Sequence, residues 1–103
     1  MKKLATLLFI LALTNSLPAQ PGKTRIIEDG GTGAYKAIMQ TDSSLLTHTI
    51  FRPENLDAFG EKNKLPIIAW GNGACANSPW EHLNFLSEVA SHGFLVIAIG
   101  PMP

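Results

Sequence analysis

The strongest hydrophobic pattern lies in the second half of the chain. Residues 66–70 and 94–99 are almost continuous apolar runs, which is typical of strands that are covered on both faces of a sheet. Between them Leu83, Leu86 and Ala90 recur at the three- and four-residue spacing of a helix that packs one face on a core. The pattern predicts strand, helix and strand, a right-handed βαβ unit with parallel strands.

Local signals predict where this helix begins and ends. Ser78-Pro79-Trp80-Glu81 has the composition of a capping box, in which the serine accepts a hydrogen bond and the glutamate reaches back to the serine N–H. Gly93 stands where a left-handed residue stops a helix, and His92 lies in the last turn. We therefore expect a helix that starts near Pro79 and ends at Gly93.

The first half of the chain predicts a β-hairpin. Residues 35–40 and 46–52 read as strands, and residues 41–44 have turn composition. Thr49 and Phe51 alternate with more polar neighbours, which indicates a half-buried antiparallel strand that Pro53 ends. The remaining stretches are polar. Residues 20–33 predict an extended segment in which Gly30-Gly31-Thr32-Gly33 is an ordinary glycine loop. Residues 54–64 predict a charged loop with one helical turn at residues 55–59.

These elements predict an α/β fold in which an antiparallel hairpin precedes the βαβ unit. Parallel strands this apolar need helices on both faces of the sheet, whereas the sequence offers one convincing helix. The last strand would also form an unpaired hydrophobic edge. We therefore expect residues 20–103 to be the N-terminal portion of a larger α/β domain, whose C-terminal part is missing from this chain.

The start of the chain carries an export pattern. Lys2 and Lys3 precede an apolar run over residues 4–13, and Leu17-Pro18-Ala19 offers a cleavage site before Gln20. The run is shorter than the roughly 20 residues that span a bilayer. We expect residues 1–19 to be the signal peptide of a secreted or periplasmic protein, with a retained N-terminal anchor helix as the alternative and no stable membrane span.

Composition and charge restrict the partners. Eight Lys and Arg residues balance eight Asp and Glu residues. The sequence has no stripe of basic residues, so neither a nucleic acid nor an anionic membrane is predicted as a partner. No metal or cofactor is predicted. Cys75 is the single cysteine, so it cannot form an internal disulfide. It is either a small buried residue or half of a bridge to another chain, and a nucleophilic role is less favoured because no base lies nearby in sequence.

A glycine turn, Trp70-Gly71-Asn72-Gly73-Ala74-Cys75, follows the first parallel strand, where α/β sheets usually bind ligands. Its spacing matches a dinucleotide fingerprint, but the predicted helix begins too late and no acid follows Glu88 to hold a ribose. An oxyanion site fits better, because exposed N–H groups there would bind the negative charge that develops in acyl transfer. A glycine turn needed only for packing remains the alternative.

Residues 65–100 resemble the third strand, first helix and fourth strand of the α/β-hydrolase fold, and residues 66–74 and 90–98 carry the likeness. The likeness is closest to secreted serine hydrolases of the dienelactone hydrolase, platelet-activating-factor acetylhydrolase and cutinase-like group. The predicted N-terminal hairpin, with residues 48–53, is similar to the first two strands of that group. The resemblance implies that the backbone N–H of Asn72 donates to an oxyanion hole.

A substrate site is expected around this turn. Gly71 and Gly73 would set the turn, and Trp70, Ala74 and Trp80 are the candidates for pocket walls because they lie in it or flank it. Packing of the two tryptophans in the core is the alternative. The nucleophile motif of such enzymes, G-x-S-x-G, does not occur in this sequence. We expect the N-terminal fragment of a secreted hydrolase for small or polymeric carboxylic esters, inactive by itself. One alternative is a secreted, non-enzymatic module that binds a partner chain through its open sheet edge, and another is a non-functional truncation.

Overall fold

The computed structural model describes residues 22–103, so the predicted signal peptide lies outside the described residues. The strands are β1 (Thr24–Arg25), β2 (Ala37–Gln40), β3 (His48–Pro53), β4 (Ile67–Trp70) and β5 (Leu95–Ile99). One α-helix, α1 (Leu83–Ser91), joins β4 to β5. Short 3-10 turns cover Glu28–Gly30, Gly73–Cys75 and Trp80–His82. None of the helices found in residues 22–103 has the length and apolar character needed to cross a bilayer.

The five strands form one mixed sheet in the order β1-β2-β3-β5-β4. The predicted hairpin is confirmed, because β2 and β3 pair antiparallel, and so is the parallel pairing of β4 with β5. The short strand β1, within the predicted extended segment, was not foreseen. The prediction that the last strand forms an edge is wrong: β5 pairs with β3 on one side and β4 on the other. The apolar edge is β4.

The core lies between α1 and one face of the sheet. Leu86 and Ala90 of the helix pack with Phe51, Val96 and Ala98, all of which are fully or almost fully buried. In β3 and β5 buried residues alternate with partly exposed ones, as a sheet covered on one face requires. The prediction that β4 and β5 are covered on both faces is therefore not met within the described residues.

The helix begins later than its capping signal predicts. The segment Trp80–His82 is a 3-10 turn, closed by the His82 N–H donating to the Pro79 carbonyl at 2.8 Å. Ser78 Oγ accepts from the Trp80 N–H at 3.2 Å, but Glu81 makes no bond back to Ser78 among the described residues. A 3-10 turn advances each residue further around the axis than an α-helix does, so residues 78 and 81 do not have the relative positions that a capping box requires. The predicted stop is confirmed: Gly93 has φ +95°.

The glycine loop before β2 is more than an ordinary connection. Gly33 N–H donates to Ser91 Oγ at 3.0 Å, and the Tyr35 N–H donates to the Ser91 carbonyl at 2.9 Å. Thr32 donates to the Glu88 carboxylate through both its N–H and its hydroxyl. The loop is therefore fastened to the last turn of α1. In place of the helical turn predicted at residues 55–59, the structure has a single non-helical turn, in which the Phe59 N–H donates to the Leu56 carbonyl at 3.0 Å.

Candidate functional site

The turn after β4 is held together by the side chain of Asn72. Its Nδ2 donates to the carbonyls of Ile99, at 2.8 Å, and Ala76, at 3.1 Å. Its Oδ1 accepts from Trp70 Nε1 at 3.1 Å. Both side-chain N–H donors are thus used to fix the end of β4, the following turn and the end of β5. This leaves the side chain no free donor for a substrate.

The backbone N–H groups at this turn, unlike the Asn72 side chain, remain available to a ligand. No hydrogen bond found in residues 22–103 uses the N–H of Asn72 or Gly73. The β4–β5 ladder ends with the pair Trp70 and Ala98, and the Ile99 carbonyl beyond it accepts from the side-chain amide of Asn72. Two consecutive N–H donors therefore lie unpaired just past the C-terminal end of a parallel strand, where α/β sheets bind ligands.

The backbone conformation of the turn does not depend on Gly71 or Gly73. Neither Gly71 nor Gly73 has a positive φ, and a Cβ added to either would meet nothing within 4 Å. Ala74 and Cys75 take the left-handed conformation instead, with φ +55° and +58°. Such a residue costs about 1–3 kcal/mol unless it is glycine. Neither packing nor conformation within the described residues requires glycine at 71 or 73, and both positions leave open space beside the backbone.

A surface depression of about 640 Å³ adjoins this turn. Four of the predicted site residues, Asn72, Gly73, Ala74 and Trp80, line it together. The indole of Trp80 is 60% exposed, which offers an apolar wall. Ser78, Glu81 and His82 also line the depression. The sequence marked Ser78 and Glu81 only as parts of a helix cap. Glu81 and His82 lie in the 3-10 turn that replaces the predicted first turn of the helix, so their place beside the depression could not be predicted.

The other two predicted site residues lie elsewhere. Trp70 and Gly71 line a separate, smaller depression of about 260 Å³ near the ends of β4 and β5. The Trp70 ring packs edge-on to His82, with centroids 5.3 Å apart, and lies 5.6 Å from Phe85. Trp70 therefore supports the turn from the side of the helix and does not line the larger depression.

The thiol of Cys75 is exposed and free. The prediction of a small buried cysteine is therefore wrong, because residue 75 lies in the surface turn after β4. A bridge to another chain stays a prediction. Within residues 22–103 no three His, Cys, Asp or Glu side chains are grouped so that they could hold a metal ion.

Fold and site together define a small α/β domain that presents two free backbone donors beside an apolar wall. Comparison of the chain with protein-family models, with curated proteins and with solved structures gave no match.

Proposed function

We propose that this chain supplies part of the oxyanion hole of a secreted α/β hydrolase that acts on carboxylic esters. The Asn72 N–H would be one of its two backbone donors. The serine, acid and histidine of the triad would come from polypeptide beyond these residues, since the sequence holds no G-x-S-x-G motif. In this proposal the chain alone is inactive.

One observation carries the proposal: the Asn72 side chain is fully engaged while its backbone N–H is unpaired. A donor that stabilises a developing oxyanion must be fixed before the reaction, so that no reorganisation is needed in the transition state. The three side-chain bonds provide that rigidity. One such donor is worth about 3–4 kcal/mol of transition-state stabilisation.

The surroundings support an ester with an apolar part. Trp80 presents an exposed ring beside the unpaired donors, and aromatic walls bind apolar groups through the area they remove from water. The missing side chains of Gly71 and Gly73 leave space for a substrate carbonyl to approach the backbone.

The proposal is tested with an alkyl phosphonate, whose oxygens mimic the tetrahedral oxyanion, added to the ¹⁵N-labelled chain. We expect the amide signals of Asn72 and Gly73 to shift. Gly60 is the matched control, because its N–H already donates to the Asn63 carbonyl at 3.0 Å. Absence of a shift at residues 72 and 73, or an equal shift at Gly60, would contradict the proposal.

A fluorophosphonate probe tests the expectation that this chain alone carries no catalytic nucleophile. We expect no covalent labelling of the purified chain, whereas labelling would show a nucleophile that the proposal places elsewhere. Sequencing the gene on the 3′ side of codon 103 adds an independent check. A G-x-S-x-G motif after a further apolar strand would support the hydrolase, and its absence from every frame would count against it.

A second candidate function rests on the open edge of the sheet. β4 carries no charged residue, Ile67 is 67% exposed and β5 is its only neighbour among the described strands. Such an edge can pair with an added strand. A purified chain that is a monomer with a sharp melting transition, and that binds a partner strand unless Ile67 is replaced by lysine, would favour this binding module over the hydrolase.

A further inference from the structure

Asn72 is followed by glycine, unlike any other asparagine of the chain. The others, Asn15, Asn55, Asn63, Asn77 and Asn84, precede residues with side chains. The backbone nitrogen after an asparagine can attack the side-chain Cγ, and a following side chain hinders that approach. The Asn72-Gly73 pair is therefore the chemically most reactive of the asparagine sites.

The structure leaves the attacking Gly73 nitrogen accessible but restrains the side-chain Cγ of Asn72 that it would attack. The Gly73 nitrogen makes no hydrogen bond found in residues 22–103, and the space beside Gly73 is open. Asn72, however, has φ −73° and ψ 150°, and this extended backbone holds the Gly73 nitrogen out of the plane in which the five-membered ring closes. The three hydrogen bonds of the Asn72 amide hold Cγ in place.

We propose that Asn72 is a site of spontaneous deamidation, which its side-chain hydrogen bonds hold in check and which dismantles the turn once it occurs. The Gly73 nitrogen forms a bond to Cγ and gives up its proton, while the side-chain nitrogen leaves as ammonia. Water then opens the succinimide to aspartate or isoaspartate. No oxidant or reductant takes part. The inference holds whether or not the turn binds an ester.

The product cannot maintain the interactions of the asparagine. A carboxylate at residue 72 has no N–H for the carbonyls of Ile99 and Ala76, which at present accept from Nδ2. It faces both oxygens with negative charge, so donation is replaced by repulsion. Isoaspartate also lengthens the main chain between residues 72 and 73. Either product would displace the two free N–H groups.

The test compares deamidation of the whole chain, folded and in urea, at mildly alkaline pH by peptide mass spectrometry. In urea we expect Asn72 to react at least about tenfold faster than Asn77, and folding to slow Asn72 by roughly a hundredfold because three hydrogen bonds must open first. Equal rates at the two asparagines in urea, or equal rates at Asn72 with and without urea, would overturn the proposal.

Two variants distinguish the intrinsic reactivity of the Asn72-Gly73 pair from its restraint by hydrogen bonds in the folded chain. Gly73→Ala should suppress the reaction in urea, and its Cβ meets open space in the folded chain. Trp70→Phe removes the donor to Oδ1 but keeps a ring beside His82, and should speed the folded-state reaction about fivefold. The urea rate of this variant is its control, since it should equal that of the parent chain. An unchanged folded-state rate would refute the restraint by hydrogen bonds.

Discussion

Replacing Gly33 by alanine should detach the glycine loop from α1. A Cβ at Gly33 would lie 2.2 Å from the Ser91 carbonyl oxygen and 2.4 Å from its carbonyl carbon. Both are backbone atoms near the end of a helix, so they cannot rotate aside as a side chain would. The loop must move back instead, which breaks the bonds from the Gly33 N–H to Ser91 Oγ and from the Tyr35 N–H to the Ser91 carbonyl.

The magnitude follows from these two effects. Overpacking costs about 1–3 kcal/mol, and each lost hydrogen bond about 0.5–1.5 kcal/mol. We expect the free energy of unfolding to fall by about 3 kcal/mol, within a range of about 2–6 kcal/mol. In a domain of this size that lowers Tm by roughly 10–25 °C.

Gly60 provides the matched control. A Cβ there meets nothing within 4 Å, and its φ is not in the left-handed region. Gly60→Ala should therefore leave stability unchanged or raise it by about 0.4–1 kcal/mol, because alanine restricts the unfolded chain. Urea unfolding followed by tryptophan fluorescence measures both variants. Equal midpoints for the two alanines would refute the claim that the glycine loop is fastened to the helix.

Three further predictions concern polar side chains. Asn72→Ala removes three hydrogen bonds and should cost about 2 kcal/mol by urea unfolding, whereas Asn63→Ala, which removes one exposed bond, should cost less than about 1 kcal/mol. The buried hydroxyl of Ser87 has no partner among the described residues, so Ser87→Ala should raise stability by about 1 kcal/mol, and a lower Tm would contradict this. Hydrogen bonds to the Glu88 carboxylate hold its pKa below the usual 4.5; those from the Thr32 hydroxyl and N–H have the largest effect, and the bond with His92 a smaller one. The stability from Glu88 is present above pH 4.5 and is lost as pH falls through the lowered folded-state pKa. Thr32→Ala should therefore weaken the chain near neutral pH and reduce its loss of stability on acidification, and parallel pH profiles of the two chains would contradict this.

Features encoded by neighbouring residues could be predicted from the sequence. The alternation through β3 predicted a half-buried strand, and Thr49 and Phe51 are fully buried. The helix face was equally readable, because Leu86 and Ala90 follow the helical period and both lie in the core. Periodicity records which side of an element faces the core, so it needs no knowledge of the neighbours.

Features that depend on distant partners could not be predicted. An apolar run shows that β5 can be buried, but not that it lies between β3 and β4. The glycine loop gave no sign that it meets Ser91, which is 58 residues away from Gly33. At the candidate site the sequence pointed to Asn72. Its side-chain amide fixes the turn by donating to the Ile99 carbonyl, which lies 27 residues further along the chain and could not be identified as a partner from the sequence.

The central place of β5 has a consequence for the timing of folding. His48, at the start of β3, pairs with Ile99, and Trp70, at the end of β4, pairs with Ala98. Neither β3 nor β4 has this neighbour until residues 95–99 have been synthesised. At about 5–20 residues per second, the ribosome adds the residues from His48 to Ile99 over several seconds. Once β4 has been synthesised, its apolar run lacks a pairing strand until β5 follows, because β4 reaches the β1–β3 part of the sheet only through β5. Assembly of the five-stranded sheet therefore waits for β5, which joins its two parts.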